Sequence, residues 1–302
     1  MRLINVQSRQ LEEFQGRNLG KIFPPYVILS HTWGPEEISF EDLSLGLENA
    51  KRKCGYKKFD SACTVALKNG FTHLWMDTCC IDKSSSAELS EAINSMFRWY
   101  KRAKICYAYL EDVGSESEDE EQRESAFAKS RWFTRGWTLQ ELIAPPEIWF
   151  FSREWNGLGK RSDLAGALSS ATGIDPYILT TGRKALRRTS MAERMSWAAK
   201  RETTRPEDIA YCLLGIFDVN MNLLYGEGKT KAFIRLQEEI LKRYPDQSML
   251  AWTPKKLHRL GLRGPLALHP KEFEDSANFM PVPFRYRDFA ITEMGLQITL
   301  NV

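Results

Sequence analysis

The side chain with the greatest chemical potential in this chain is a carboxylate in aromatic and apolar company. Residues 135–142 read Arg-Gly-Trp-Thr-Leu-Gln-Glu-Leu, which places Glu141 near the start of a helix beside Trp137, Leu139 and Leu142. Partial desolvation raises a carboxyl pKa and suits the group to act as a general base or to stabilise developing positive charge. The plain alternative is a capping or exposed Glu paired with Arg135. Two further polar segments accompany it: Ser30-His31-Thr32-Trp33-Gly34, and Asp77 through Asp82 to Lys83. Ser30 offers a hydroxyl to a ligand or caps a loop, and His31 donates one hydrogen bond or is structural. Adjacent residues on a strand face opposite ways, and no nucleophile-elbow pattern is present, so a Ser–His nucleophile pair is disfavoured. Trp33 presents a flat face suited to a base or a nicotinamide ring, or else lids the core. Asp77 and Asp82 reach a ribose hydroxyl or cap the loop before the next helix. Thiolate chemistry at Cys79-Cys80 would need a base that only His31 is placed to supply.

The elements that must position these residues are short apolar runs alternating with helical patterns. Residues 26–30, 73–77, 104–110 and 147–151 read as strands. Helices are expected over 51–69, from Ala87-Glu88 after the capping run Ser84-Ser85-Ser86 with Leu89, Ala92, Ile93, Met96, Phe97 and Tyr100 on one face, and over 130–143, stopped by Pro145-Pro146. This alternation predicts an α/β fold, a parallel sheet with helices on both faces, whose ligands sit beyond the carboxyl ends of the strands. Residues 112–124 are acidic and read as an exposed loop. From residue 161 the pattern turns helical, over 162–171, 191–199, 204–214 and 229–244. The charge-dense stretch 201–208 reads as an Arg–carboxylate network or a partner surface. The tail 246–302 reads as β-rich, with Leu296 to Leu300 as one antiparallel strand.

Composition removes several classes. Lys and Arg number 42 against 39 acidic residues, a net charge of +3 with no basic stripe, so nucleic acid is not an expected partner. Arg187-Arg188 and Lys255-Lys256 read as solvated surface. No apolar run approaches a membrane span, and the amino terminus lacks a signal peptide. Six widely scattered Cys fit free thiols in a reducing, cytoplasmic setting, and the four His show no metal-ligand spacing, so no metal is expected. Neither a Walker loop nor a G-x-G-x-x-G follows a strand, which disfavours P-loop hydrolysis and dinucleotide redox chemistry.

Five segments together resemble the fungal heterokaryon incompatibility (HET) domain family. They are Tyr26 to Gly34, Leu74 to Lys83, Arg135 to Pro145, Arg201 to Asp218 running on to Gly228, and Asp246 to Trp252. The resemblance implies fungal non-self recognition and regulated cell death. It also implies a place within a longer parent protein carrying NACHT/NB-ARC-type or repeat regions. It sets a HET domain over 1–255, divided into an α/β core (1–155) and a helical extension (156–255), with 256–302 as a β-rich tail or the start of a following region. The strand and helix order further resembles a Toll/interleukin-1 receptor (TIR) domain, of flavodoxin-like plan. In enzymatic TIR domains a Trp-Cys-x-x-Glu-Leu helix carries the glutamate that cleaves NAD. The matching positions here are Trp137 to Leu142, with Thr138 in place of Cys and Glu141 as the glutamate. The loop 78–83 and the helical second half depart from that fold.

The resemblance therefore implies an NAD glycohydrolase. Glu141 would be catalytic; Ser30, His31, Trp33, Asp77, Asp82 and Trp137 would bind the substrate; NAD would be a substrate rather than a cofactor, and the active form a homo-oligomer. The alternatives are a non-enzymatic adaptor acting by self-association and a related nucleotide-processing enzyme.

Overall fold

The computed structural model describes residues 1–14, 23–114, 120–244, 246–255, 264–279, 289–292 and 295–298. The four expected apolar runs form the parallel heart of a seven-stranded mixed sheet. Its strands are β1 (Arg2–Asn5), β2 (Leu11–Glu13), β3 (Tyr26–His31), β4 (His73–Trp75), β5 (Ile105–Tyr109), β6 (Ile148–Phe151) and β7 (Gly157–Lys160), in the order β2-β1-β4-β3-β5-β6-β7. β3 pairs in parallel with β4 and β5, and β5 with β6. These four strands run second, first, third, fourth in sequence order, the flavodoxin-like arrangement whose switch point lies between the first and third strands. That point falls where Ser30 pairs with Ala108 and His31 with Tyr109. Every residue of β3 and β5 is buried, because helices cover both faces of the sheet.

The outer strands were not expected. β1 pairs antiparallel with β2 and β4, and β7 antiparallel with β6. β2 and β7 are short, partly polar edge strands, as an edge tolerates; β1 lies between β2 and β4, and only its Leu3 and Ile4 are buried. Lys160 of β7 pairs with Glu147 at 2.9 Å and lies 5.3 Å from the Trp149 ring centroid, putting a charge on the sheet edge.

The helix Ser86–Arg102 starts at the Ser85 cap, whose side chain accepts from the Glu88 amide. It ends on Lys101 and Arg102, which complement the helix dipole. Ala92, Ile93, Ser95, Met96 and Tyr100 are its buried positions. Tyr100 meets Trp75 edge to face at 5.9 Å, tying the helix to β4.

The expected continuous helix over 130–143 is instead two pieces, a 3-10 turn (Arg131–Thr134) and an α-helix (Thr138–Ile143). The break has a tertiary cause: Arg135 bridges to Glu202, with the Glu202 amide donating to the Thr134 carbonyl at 2.7 Å and the Gly136 amide to the Glu202 carbonyl at 2.8 Å. A Cβ at position 136 would stand 2.5 Å from Thr203 Cγ2 and 3.1 Å from Cys212 Sγ, so only glycine allows this approach.

Other expectations are adjusted in detail. The acidic segment is not wholly loop, since Glu120–Ala128 is helical; residues 115–119 lie outside the described residues. Asp77–Cys80 forms one helical turn rather than a loop. The second half carries the helices Ala165–Thr172, Met191–Ser196, Asp208–Tyr211, Leu214–Phe217 and Lys229–Arg243, so the expected 204–214 helix begins later and is split. In the tail, Gly295–Ile298 pairs antiparallel with Phe289–Thr292, while 256–263, 280–288, 293–294 and 299–302 lie outside the described residues. No described helix is long and apolar enough to cross a membrane.

Gly136→Ala forces the Arg135–Glu202 bridge apart and is expected to cost about 1–3 kcal/mol by overpacking. The urea midpoint should fall with an unchanged slope; a midpoint equal to wild type would show that the bridge does not hold the break.

Candidate active site

The end of β3 presents Ser30 to the helix Thr138–Ile143. The Ser30 hydroxyl donates to Glu141 Oε2 and accepts from Trp132 Nε1 at 2.8 Å, so the chain Trp132 to Ser30 to Glu141 has a fixed polarity. Glu141 is only 7% exposed and Ser30 is fully buried. Burial pushes the Glu141 carboxyl up to about 8. The Ser30 hydrogen bond opposes that shift, the nearby Asp77 charge adds to it, and Tyr100 and Arg201 oppose it more weakly. Near neutral pH the unliganded carboxyl is therefore mostly protonated, unlike an ordinary Glu.

A six-residue helix has little stability of its own, and two buried guanidinium groups hold this one at both ends. Arg201 Nη1 donates to the Arg135 carbonyl and to Thr138 Oγ1, each at 2.9 Å. Arg161 Nη1 donates to the carbonyls of Leu142 at 2.7 Å and Pro145 at 3.2 Å, and Nη2 to Pro146 at 3.3 Å, satisfying the carboxyl end of the helix. Burial lowers both guanidinium pKa values to about 10, which leaves them charged at neutral pH.

Glu141 opens onto a cavity of about 190 Å³ walled also by His31, Trp33, Asp77, Trp137 and Asp208. Ligand pockets usually span about 300–1,000 Å³, so the space suits one flat ring with part of a sugar better than a whole dinucleotide. Trp33, 50% exposed, donates from Nε1 to Asp77 Oδ2 at 3.0 Å, and the Lys83 ammonium sits 3.6 Å from its ring centroid. Asp208 accepts from Trp137 Nε1 at 3.1 Å and from the Tyr225 hydroxyl at 3.0 Å, and its carboxyl is raised chiefly by burial. His31 Nε2 lies 3.7 Å from Glu37 Oε2 and 4.0 Å from Asp77 Oδ1, and neither ring nitrogen has a hydrogen-bond partner among the described residues. Burial, with Lys58 and Lys83 nearby, holds this imidazole well below its ordinary pKa and therefore neutral.

Five of the residues singled out from sequence thus share one cavity: Glu141, His31, Trp33, Asp77 and Trp137. Ser30 stands behind Glu141 and orients it rather than lining the space. Asp82 lies outside the cavity lining, its carboxylate accepting from the Ser84 amide at 2.9 Å and hydroxyl at 2.6 Å as a turn cap. The Arg–carboxylate network expected over 201–208 is not formed among the described residues. Arg201 bonds carbonyls and Thr138, Glu207 accepts from the Gly226 and Gly228 amides, and Arg205 stacks on Tyr225. Cys79 and Cys80 are buried with thiol pKa values pushed up, Cys80 to about 12, which removes thiolate chemistry. Sequence reading missed the site roles of Tyr100, Asp208, Tyr225 and Arg161. Tyr100 reads as an ordinary core position on its helix, and no local pattern distinguishes the other three.

The raised Glu141 pKa has a consequence for stability. Its folded value of about 8 exceeds the ordinary 4.5, so the folded state keeps a proton that the unfolded chain releases between those values. This stabilising proton is fully in place below 4.5, and stability falls as pH rises towards 8. Glu141→Gln removes the dependence: it should be more stable than wild type by on the order of 3 kcal/mol at pH 7, with little difference near pH 4. Parallel melting curves across pH would contradict the assignment.

Comparison with known proteins places the chain in a family. Residues 26–127 match the family model for heterokaryon incompatibility protein (HET), and residues 231–283 match a domain of unknown function (DUF8212). The chain is 53% identical over 228 residues to vegetative incompatibility protein HET-E-1 of Podospora anserina, a match covering 74% of this chain and 16% of that relative. No solved structure matches. By this identity over most of its length, the chain belongs to the heterokaryon incompatibility (HET) family.

Proposed function

We propose that this domain is an NAD glycohydrolase acting as a cell-death effector in fungal non-self recognition, with Glu141 as its catalytic group. The observation that carries the reading is a buried carboxyl, hydrogen-bonded to Ser30 and facing a ring-sized cavity beside Trp33 and Trp137 at the sheet switch point. Nicotinamide in NAD is a pyridinium cation, and the cavity wall offers the carboxyl groups of Glu141, Asp77 and Asp208. A bound cation favours ionisation of Glu141, reversing the effect of burial. The carboxylate then contacts the ribose hydroxyls and stabilises positive charge at C1′. The C1′–N1 bond breaks with its electron pair passing to the ring nitrogen, which becomes neutral nicotinamide. Water adds to the C1′ oxocarbenium and gives up its proton, leaving ADP-ribose. The reaction in this reading is turned on by self-association within a longer parent protein.

Two outcomes are expected. Concentrated protein incubated separately with NAD, NADP and ATP should release nicotinamide, identified by mass, from NAD. Glu141→Gln should lower kcat by about 100-fold or more, the scale of losing a transition-state charge stabiliser. Normal turnover in a folded Glu141→Gln protein sinks the assignment. No consumption even when the protein is forced to cluster favours an adaptor acting by assembly.

The second outcome concerns pH. kcat/KM reports the free enzyme, so it should climb as pH rises through about 8, where Glu141 ionises. The corresponding limb of kcat should lie at lower pH, because the bound cation has already favoured the carboxylate. A kcat/KM profile flat from pH 6 to 9 would contradict the role of Glu141.

A further inference from the structure

A large concavity among the described residues lies away from Glu141, and its walls are basic. It is an open cleft of about 1140 Å³ between the helix Ser86–Arg102 and the 3-10 segment Gly182–Arg188. Arg98 and Lys101 line it from the helix, and Arg183, Lys184 and Arg187 from the 3-10 segment. Arg98 donates to the Ser95 hydroxyl at 2.7 Å, and none of these five cations forms an ion pair among the described residues. A sixth, Arg194, borders the cleft with its guanidinium bonded to neutral acceptors: the Thr189 hydroxyl and carbonyl and the carbonyls of Leu186 and Ile216. The two carboxylates on the cleft wall are already engaged. Asp218 pairs with Arg243 at 2.5 Å, and Asp246 accepts from the Met191 and Ser248 amides at 3.0 and 2.9 Å. Asp246 keeps its charge beside those neutral amides, yet the cations bordering this concave space still outnumber it.

The remaining wall is apolar, with Phe97, Leu186, Ile216 and Tyr244 among its residues. Cations over a flat face would fit a bilayer, and a long basic stripe would fit nucleic acid. A recess combining five cations with aromatic and aliphatic surface instead matches a small ligand that carries clustered negative charge and a flat ring. We propose that this cleft binds a compact polyphosphate, with nucleoside polyphosphates as the class that satisfies both its charge and its apolar wall. The helix Ser86–Arg102 links it to the Glu141 cavity: Leu89, Ile93, Met96 and Tyr100 line the cavity, while Asn94, Phe97, Arg98 and Lys101 line the cleft. An occupant of the cleft thus rests on the back of the helix whose front bears on Glu141.

The test is calorimetric titration of the whole chain with inorganic triphosphate and, separately, ATP at low ionic strength. Saturable binding of both is expected, tighter for ATP if the apolar wall takes the base, and weakened by salt because exposed cations carry it. The charge-reversal variant Arg183→Glu/Lys184→Glu/Arg187→Glu should weaken binding by at least about tenfold, the combined effect of three exposed charge pairs. Glu141→Gln should bind triphosphate as wild type does, separating this site from the cavity. If the triple variant fails to fold, Arg98→Ala/Lys101→Ala on the other wall decides the question. Absence of binding to both probes, unchanged affinity in the folded variants, or capture only by anionic lipid vesicles would overturn the proposal.

Discussion

Keeping one carboxyl out of water is the constraint on which the rest of this molecule depends. Glu141 is held against Ser30 at the end of the central strand, and its position has to be defended by much of the fold. A buried carboxylate costs several kcal/mol unless it is neutral or paired. Here the group stays largely protonated when unliganded, and the Ser30 hydroxyl supplies its hydrogen bond. A residue balanced in this way responds strongly to a cation brought beside it. That responsiveness is what separates Glu141 from an ordinary helix-start glutamate.

The helical second half has a defined part in this arrangement. The helix carrying Glu141 is too short to persist alone, and Arg201 and Arg161, both from beyond β6, fix its two ends through backbone carbonyls. Gly136 admits the Glu202 strand segment that interrupts the preceding helix, turning Trp137 towards Asp208. The α/β core therefore supplies Ser30 and the sheet edge, while the later segments aim the carboxylate and close the cavity with Asp208 and Tyr225. Neither half holds the site by itself.

How much of this was legible in the sequence follows from the range of the interactions. The buried strands β3 and β5 were visible because both faces are covered and their sequences are continuously apolar. The edge strands β2 and β7 were not, because one side of each is unpaired and their patterns are short and polar, nor was β1, whose apolar pair Leu3-Ile4 is flanked by Arg2 and Asn5. The helix Ser86–Arg102 announced itself through its cap and its apolar face. The single helix expected over 130–143 failed because a contact with residues 202–203, distant in sequence, outweighs local propensity. In the site, Glu141, Trp33, Asp77 and Trp137 stood out by residue type in unusual company. Tyr100 and Arg161 did not, since a helix-face tyrosine and a lone arginine acquire their roles only from three-dimensional neighbours. Arg187 read as solvated surface and is exposed; that it also lines the basic cleft opposite Arg98 and Lys101 depends on a tertiary arrangement that no local pattern reveals.

In the proposed function, Glu141 is a buried acid whose ionisation a cationic ligand controls. Its side-chain carboxyl carbon can be followed by NMR in protein labelled at glutamate, assigned by loss of the signal in Glu141→Gln. A midpoint near 8 is expected in the free domain, moving down when a non-hydrolysable NAD analogue is bound. A midpoint near 4.5 in the free domain, or one near 8 that does not respond to the analogue, would contradict it.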